Sequence, residues 1–75
     1  SAPAVVRDAP RDLWCVAAGR DGVVRPVTLE VLARLRQLAD RTGGSVTAAT
    51  LSDCAADELA RLAAAGADRI LACTA

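Results

Sequence analysis

From Pro26 to Gly44 the apolar and polar residues recur with a helical period. Val31, Leu32, Leu35, Leu38 and Ala39 form one apolar stripe, and Glu30, Arg34, Gln37 and Arg41 take the opposite side. Glu30 stands four residues ahead of Arg34, the spacing of a helix-surface ion pair. Thr28 is the expected N-cap, because its hydroxyl can accept from an unpaired first-turn amide, and Gly43-Gly44 supplies a left-handed ending. A second, shorter helix is predicted from Cys54 to Ala65, capped by Ser52 or Asp53 and closed by Gly66. Its buried side would use Ala55, Leu59, Leu62 and Ala63, with Asp57 and Glu58 spaced to pair with Arg61.

The other apolar runs have strand length. Leu13-Trp14-Cys15-Val16-Ala17-Ala18 is apolar on both faces, as a parallel strand covered on both sides would be, which puts Trp14 in the core rather than on a stacking platform. Ser45–Leu51 is a β-branched run, and Arg69–Cys73 is a third short strand. Between the first strand and the first helix, Gly19-Arg20-Asp21-Gly22 turns the chain and Val23-Val24-Arg25 is expected to form a short returning ribbon. The order is β-α-β-α-β, an α/β fold with a three-stranded parallel sheet and two right-handed crossover helices. Residues 1–12 mix proline, alanine and charge without a period and read as a flexible lead or linker; 13–75 read as a partial α/β domain. Such a sheet leaves an edge and one face uncovered, so the chain is expected to be a fragment or to be completed by a partner.

Composition narrows the functional classes. Seventy-five residues make one small domain, and although 53% are hydrophobic, much of that is alanine and Trp14 is the sole aromatic residue, so the core must be thin. Nine arginines balance nine acids, which leaves no basic excess for nucleic acid. No apolar run approaches the ~20 residues of a membrane span, and the start lacks the pattern of a secretory signal. Cys15, Cys54 and Cys73 are odd in number, far apart and outside any Cys-x-x-Cys, which points away from disulfides and zinc and toward a reducing, cytoplasmic setting. Cys15 and Cys73 sit in apolar runs and read as small hydrophobes; Cys54 sits where a helix dipole could lower its pKa, with no partner thiol or base in view.

No constellation for catalysis emerges. The chain has no histidine, so metal sites and histidine-dependent catalysis lose their commonest ligand and base, and Ser45 and Ser52 lack a base to activate them. Asp57-Glu58 reads as a solvated helix face. The loop Gly19-Arg20-Asp21-Gly22-Val23-Val24 has neither Gly-x-Gly-x-x-Gly nor Gly-x-x-x-x-Gly-Lys-Ser/Thr, so it reads as a turn, with Arg20 left able to meet an anion. No catalytic, cofactor-binding or metal-binding residue is assigned.

Several segments in fixed order do resemble a known family, the amino-terminal segment of the electron transfer flavoprotein alpha subunit. They are Leu13-Trp14-Cys15-Val16-Ala17, Asp21-Gly22-Val23-Val24-Arg25-Pro26, Thr28-Leu29-Glu30-Val31-Leu32, Leu38-Ala39, Gly43-Gly44-Ser45-Val46-Thr47-Ala48 and Leu62 to Leu71. Ala18-Gly19-Arg20 departs from the family, whose members often carry an acidic residue and then a histidine there. The resemblance implies the first half of a Rossmann-like doubly wound domain of the adenine-nucleotide-hydrolase-like type. It implies a scaffold and partner-binding role in a heterodimer that takes electrons from dehydrogenases and passes them to an acceptor. The implied partners are the beta subunit and the remainder of the alpha subunit, and the implied cofactor is FAD, held mainly by a carboxyl-terminal domain and not by this segment. The rival reading is a nucleotide-binding module resembling the universal stress proteins. A third is an interaction domain that oligomerises through its open sheet edge.

Overall fold

A computed structural model describes residues 3–4, 11–17, 21–51 and 53–73. The chain runs β1 (Asp12–Ala17), α1 (Pro26–Thr42), β2 (Ser45–Thr50), α2 (Ala56–Ala65) and β3 (Arg69–Ala72). The strands form one sheet in the order β1-β2-β3, and both neighbouring pairs are parallel. The expected α/β half-domain is therefore present, with both helices packed on one face: α1 lies against β1, β2 and α2, and α2 lies against β3.

Register explains which residues share a face. Leu13 pairs with Val46, Cys15 with Ala48 and Ala17 with Thr50, while Ala48 pairs with Ile70. Because side chains alternate along a strand, these rows point together toward the helices. They meet Leu32 and Ala39 of α1 and Leu62 of α2, all fully buried, with Leu29, Leu35, Leu59 and Ala65 packed at the margin. Small residues such as Ala39 and Ala48 let helix and sheet approach closely.

The stripe predicted on α1 is rotated. Leu32, Leu35 and Ala39 face the sheet, but Val31 and Leu38 stand 42% and 37% exposed and Leu29 takes a place on the inner side. On α2, Leu59 and Leu62 pack inward as expected, whereas Ala63, and Ala55 just ahead of the helix, are exposed. Both caps also differ. Arg25 is the N-cap of α1 with no side-chain bond, and Pro26 opens the helix; Thr28 lies within the first turn, its amide donating to the Arg25 carbonyl at 3.0 Å. Proline has no amide to leave unpaired and its φ is preset for helix, so it starts α1 ahead of the threonine. Ala55, not Asp53, precedes α2, and Ser52 lies outside the described residues.

Gly43 ends α1 in the left-handed region, and the amides of Gly43 and Gly44 both donate to the Ala39 carbonyl. Gly44 then passes so close to β1 that a Cβ there would overlap the Arg11 carbonyl oxygen, which accepts from Ser45 N–H at 2.6 Å. That close approach sets the register of β2 on β1. The returning ribbon does not form: Val23-Val24-Arg25 has no strand structure, and Val24 instead turns inward and is buried.

Candidate functional site

The face of the sheet turned away from the helices carries Trp14 and Val16 of β1, Thr47 and Ala49 of β2, and Arg69 and Leu71 of β3, again fixed by register. Trp14 is 53% exposed, Val16 64% and Leu71 47%. This corrects the expectation that β1 is covered on both sides with Trp14 in the core. An apolar run shows that both faces of a strand suit burial, yet among the described residues only one face has a layer against it. Thr47 and Ala49 are nonetheless buried, because the larger side chains on either side rise above them.

Arg69 leans across β2. Its Nε and Nη2 both donate to Thr47 Oγ1, at 3.3 and 3.2 Å. Trp14, Thr47, Arg69, Ile70 and Leu71 line a shallow open depression of about 160 Å3. At the near end of the same face, the Ser45 hydroxyl donates to Asp12 Oδ1 at 2.7 Å. Ser45 thus acts as a strand-pairing residue.

At the carboxyl ends of the strands, where open α/β sheets bind ligands, two loops are stitched together. Asp21 Oδ1 accepts from Val23 N–H at 3.2 Å, an Asx-type turn with Gly22 at φ 74°. Gly22 abuts the Asp53 carbonyl so closely that any Cβ would overlap it. Glu58 Oε2 accepts from Val24 N–H at 3.0 Å and lies 3.5 Å from Arg61 Nη1, so one expected acid serves the β1–α1 loop as well as its helix neighbour. Gly19 and Arg20, the other candidates of this loop, lie outside the described residues.

A third cluster ties α1 to β3. Arg36 Nη1 donates to Asp68 Oδ2 at 2.7 Å and to the Gly66 carbonyl at 3.2 Å, while Arg36 also pairs with Asp40. Asp68 Oδ2 accepts in addition from Val46 N–H at 2.8 Å. That backbone bond, followed by the Arg36 bond, holds the Asp68 carboxyl below its ordinary value. Arg36 takes the role that the periodicity gave to Arg34, for among the described residues no ion pair joins Arg34 to Glu30.

The cysteines are dispersed. Cys15 packs at the margin of the core, and burial pushes its thiol up, which suits a small hydrophobe. Cys54 lies half-buried just ahead of α2, and Cys73 is exposed past the end of β3 rather than within an apolar layer. Among the described residues no three His, Cys, Asp or Glu side chains gather as a metal would require, and no described helix is long and apolar enough to cross a membrane.

A family model described as the electron transfer flavoprotein domain matches residues 12–75, from the first residue of β1 through all five elements. The chain belongs to the electron transfer flavoprotein domain family. Neither the curated proteins nor the solved structures yield a match to it. Membership gives the chain a role related to electron transfer flavoproteins, in the setting of an electron-transfer complex. Within this electron transfer flavoprotein domain, the residues that sequence reasoning missed are Arg69, Thr47 and Arg36. For Arg69 and Thr47 the signal was present only as the alternation Arg69-x-Leu71 and Thr47-x-Ala49, which acquires meaning once the strands are in register; Arg36 lies on α1 and meets Asp68 only through tertiary packing.

Proposed function

We propose that the chain is the amino-terminal scaffold and partner-binding part of an electron transfer flavoprotein alpha subunit. The observation that carries this reading is the family match across a parallel half-sheet whose second face carries exposed Trp14, Val16 and Leu71 and has no layer against it among the described residues. Assignment to the alpha subunit rests on the ordered segments from Leu13 to Leu71. In this reading the complex carries electrons from dehydrogenases to an acceptor, and FAD supplies the redox chemistry from another part of the assembly. The open-face depression of about 160 Å3 supports that division, since small-molecule pockets run ~300–1,000 Å3. The chain's own contribution is positional: a rigid sheet, braced by Arg36–Asp68 and Glu58–Val24, presents one face to the rest of the assembly.

The test is purification of the tagged protein from the cells that make it. A yellow complex containing a beta-type subunit is expected, with the colour lost from this chain once the complex is dissociated. Retention of flavin by the isolated chain, or micromolar binding of AMP or ATP to it, would overturn the proposal; the second result favours the nucleotide-binding reading.

A further inference from the structure

We infer that the β1–α1 loop is an anion-binding turn filled by the chain's own carboxylates, with Glu58 as an internal ligand that closes it to phosphate and other external anions. This closure does not depend on the partner-binding reading above. The loop leaves the carboxyl end of β1 and leads into α1. From that position the first β–α turn of nucleotide-binding sheets presents backbone amides to phosphate. The glycine pattern of a phosphate loop is missing here, yet the underlying chemistry, amides turned toward negative charge, is kept.

Two successive amides carry that chemistry. Val23 N–H donates to Asp21 Oδ1 at 3.2 Å, and Val24 N–H donates to Glu58 Oε2 at 3.0 Å. Both follow Gly22, whose φ of 74° is the left-handed turn found in backbone nests that hold anions. Asp21 is local to the turn. Glu58 instead arrives from the first turn of α2, 34 positions along the chain from Val24. Its carboxylate enters from another element, as a bound ligand would.

The seat is held from both sides. Val24 is buried and anchors the loop in the core, while Gly22 lies against the Asp53 carbonyl with no room for a Cβ. Glu58 is half-buried, and a carboxylate bonded to the amide of a buried residue holds it more strongly than a neutral acceptor would. A second position is also provided for it. The same Oε2 lies 3.5 Å from Arg61 Nη1, so a carboxylate that leaves Val24 has a cation to retain it. An external anion must displace Glu58 and then sit beside the Asp21 carboxylate, a like charge. Glu58 therefore acts as an autoinhibitory contact at this loop.

Amide resonances and hydrogen exchange, read on the chain at neutral pH, test this. In the parent, the Val24 amide should exchange slowly, and Val23 and Val24 should not shift when acetate or inorganic phosphate is added. Glu58→Ala should speed Val24 exchange on the order of tenfold, the scale of one hydrogen bond to a charged group, while the amides of β2 keep their protection. Acetate, which replaces the deleted carboxylate, should then shift Val23 and Val24 saturably and slow Val24 exchange again. Phosphate should do the same, and chloride at equal ionic strength should not. Glu58→Gln keeps the length and removes the charge; it should speed Val24 exchange by a smaller factor, and it decides the matter with the parent if Glu58→Ala is unfolded by circular dichroism. Three results would each overturn the inference: a parent whose Val23 and Val24 respond to the anions, Val24 exchange indifferent to both variants, or a folded Glu58→Ala in which acetate and phosphate do no more than chloride. Nucleotide bound by the chain with Val23 and Val24 undisturbed overturns the scaffold reading and keeps this closure. A parent loop that takes phosphate, in a chain that still purifies within a yellow complex, does the reverse.

Discussion

At the scale of single residues, two positions expose the physics most directly. Thr50 ends β2 fully buried, and among the described residues its Oγ1 has no hydrogen-bond partner. A buried hydroxyl without a partner is destabilising relative to a methyl of the same shape. Thr50→Val should therefore leave stability unchanged or raise it by up to about 1 kcal/mol in urea unfolding; a clear loss would mean the hydroxyl is satisfied in solution. Gly44 is the opposite case, a residue whose missing Cβ is the point. Gly44→Ala drives a methyl into the Arg11 carbonyl at the β1–β2 junction, and should lower stability by about 1–3 kcal/mol. Equal stability of variant and parent would show that the junction relaxes freely.

At the scale of elements, the Arg36–Asp68 contact joins α1 to the start of β3, and Val46 N–H brings β2 into the same cluster. Asp68 is held below its ordinary value of 3.8 in the folded chain. A carboxyl with a depressed folded pKa binds its proton more readily when unfolded. Its stabilising effect is thus complete above the ordinary value and is lost as pH falls through the lower folded one. Asp68→Asn removes the charge at every pH, so parent and variant should differ most near neutrality and converge in acid. Thermal melts from pH 7 down to pH 3 check this, and a constant gap would sink it. The cluster is consistent with the rotation of the α1 stripe, whose Leu32, Leu35 and Ala39 pack on the core. Arg36 reaches the α2–β3 loop, and the turn of helix that brings it there carries Val31 and Leu38 toward solvent.

At the scale of the molecule, the core is thin. Its largest fully buried side chains are Leu32 and Leu62, followed by Val24 and Val46. Truncating a buried leucine removes ~2–5 kcal/mol, against a total of ~5 kcal/mol typical of so small a domain. Leu32→Ala should leave the chain largely unfolded at room temperature by circular dichroism; a cooperative melt near that of the parent would mean the core tolerates the cavity. Trp14 reports on the open face from the same chain. As its sole tryptophan, half exposed, it should emit as a solvated indole and be quenched readily by iodide. A shielded, blue-shifted emission from the dilute chain would mean that the face folds over or self-associates.

The periodicities alone determined the five elements and their parallel order, because helix and strand periods are local properties of the chain and a crossover helix returns each strand parallel to the one before it. The electron transfer flavoprotein resemblance came instead from the residues of particular segments in sequence order, not from any period. Cap positions were legible less well: Thr28 and Asp53 carry capping side chains, but Pro26 and the packing of the loop ahead of α2 set the starts. Only the tertiary structure decided which side of each strand has a layer against it. Leu13 and Trp14 are both apolar, and their alternation says that they point apart without saying which meets the helices. Likewise, Arg36 finds Asp68 across a long stretch of chain, and Arg69 finds Thr47, through strand register. Register is a contact between distant segments, and no local period encodes it.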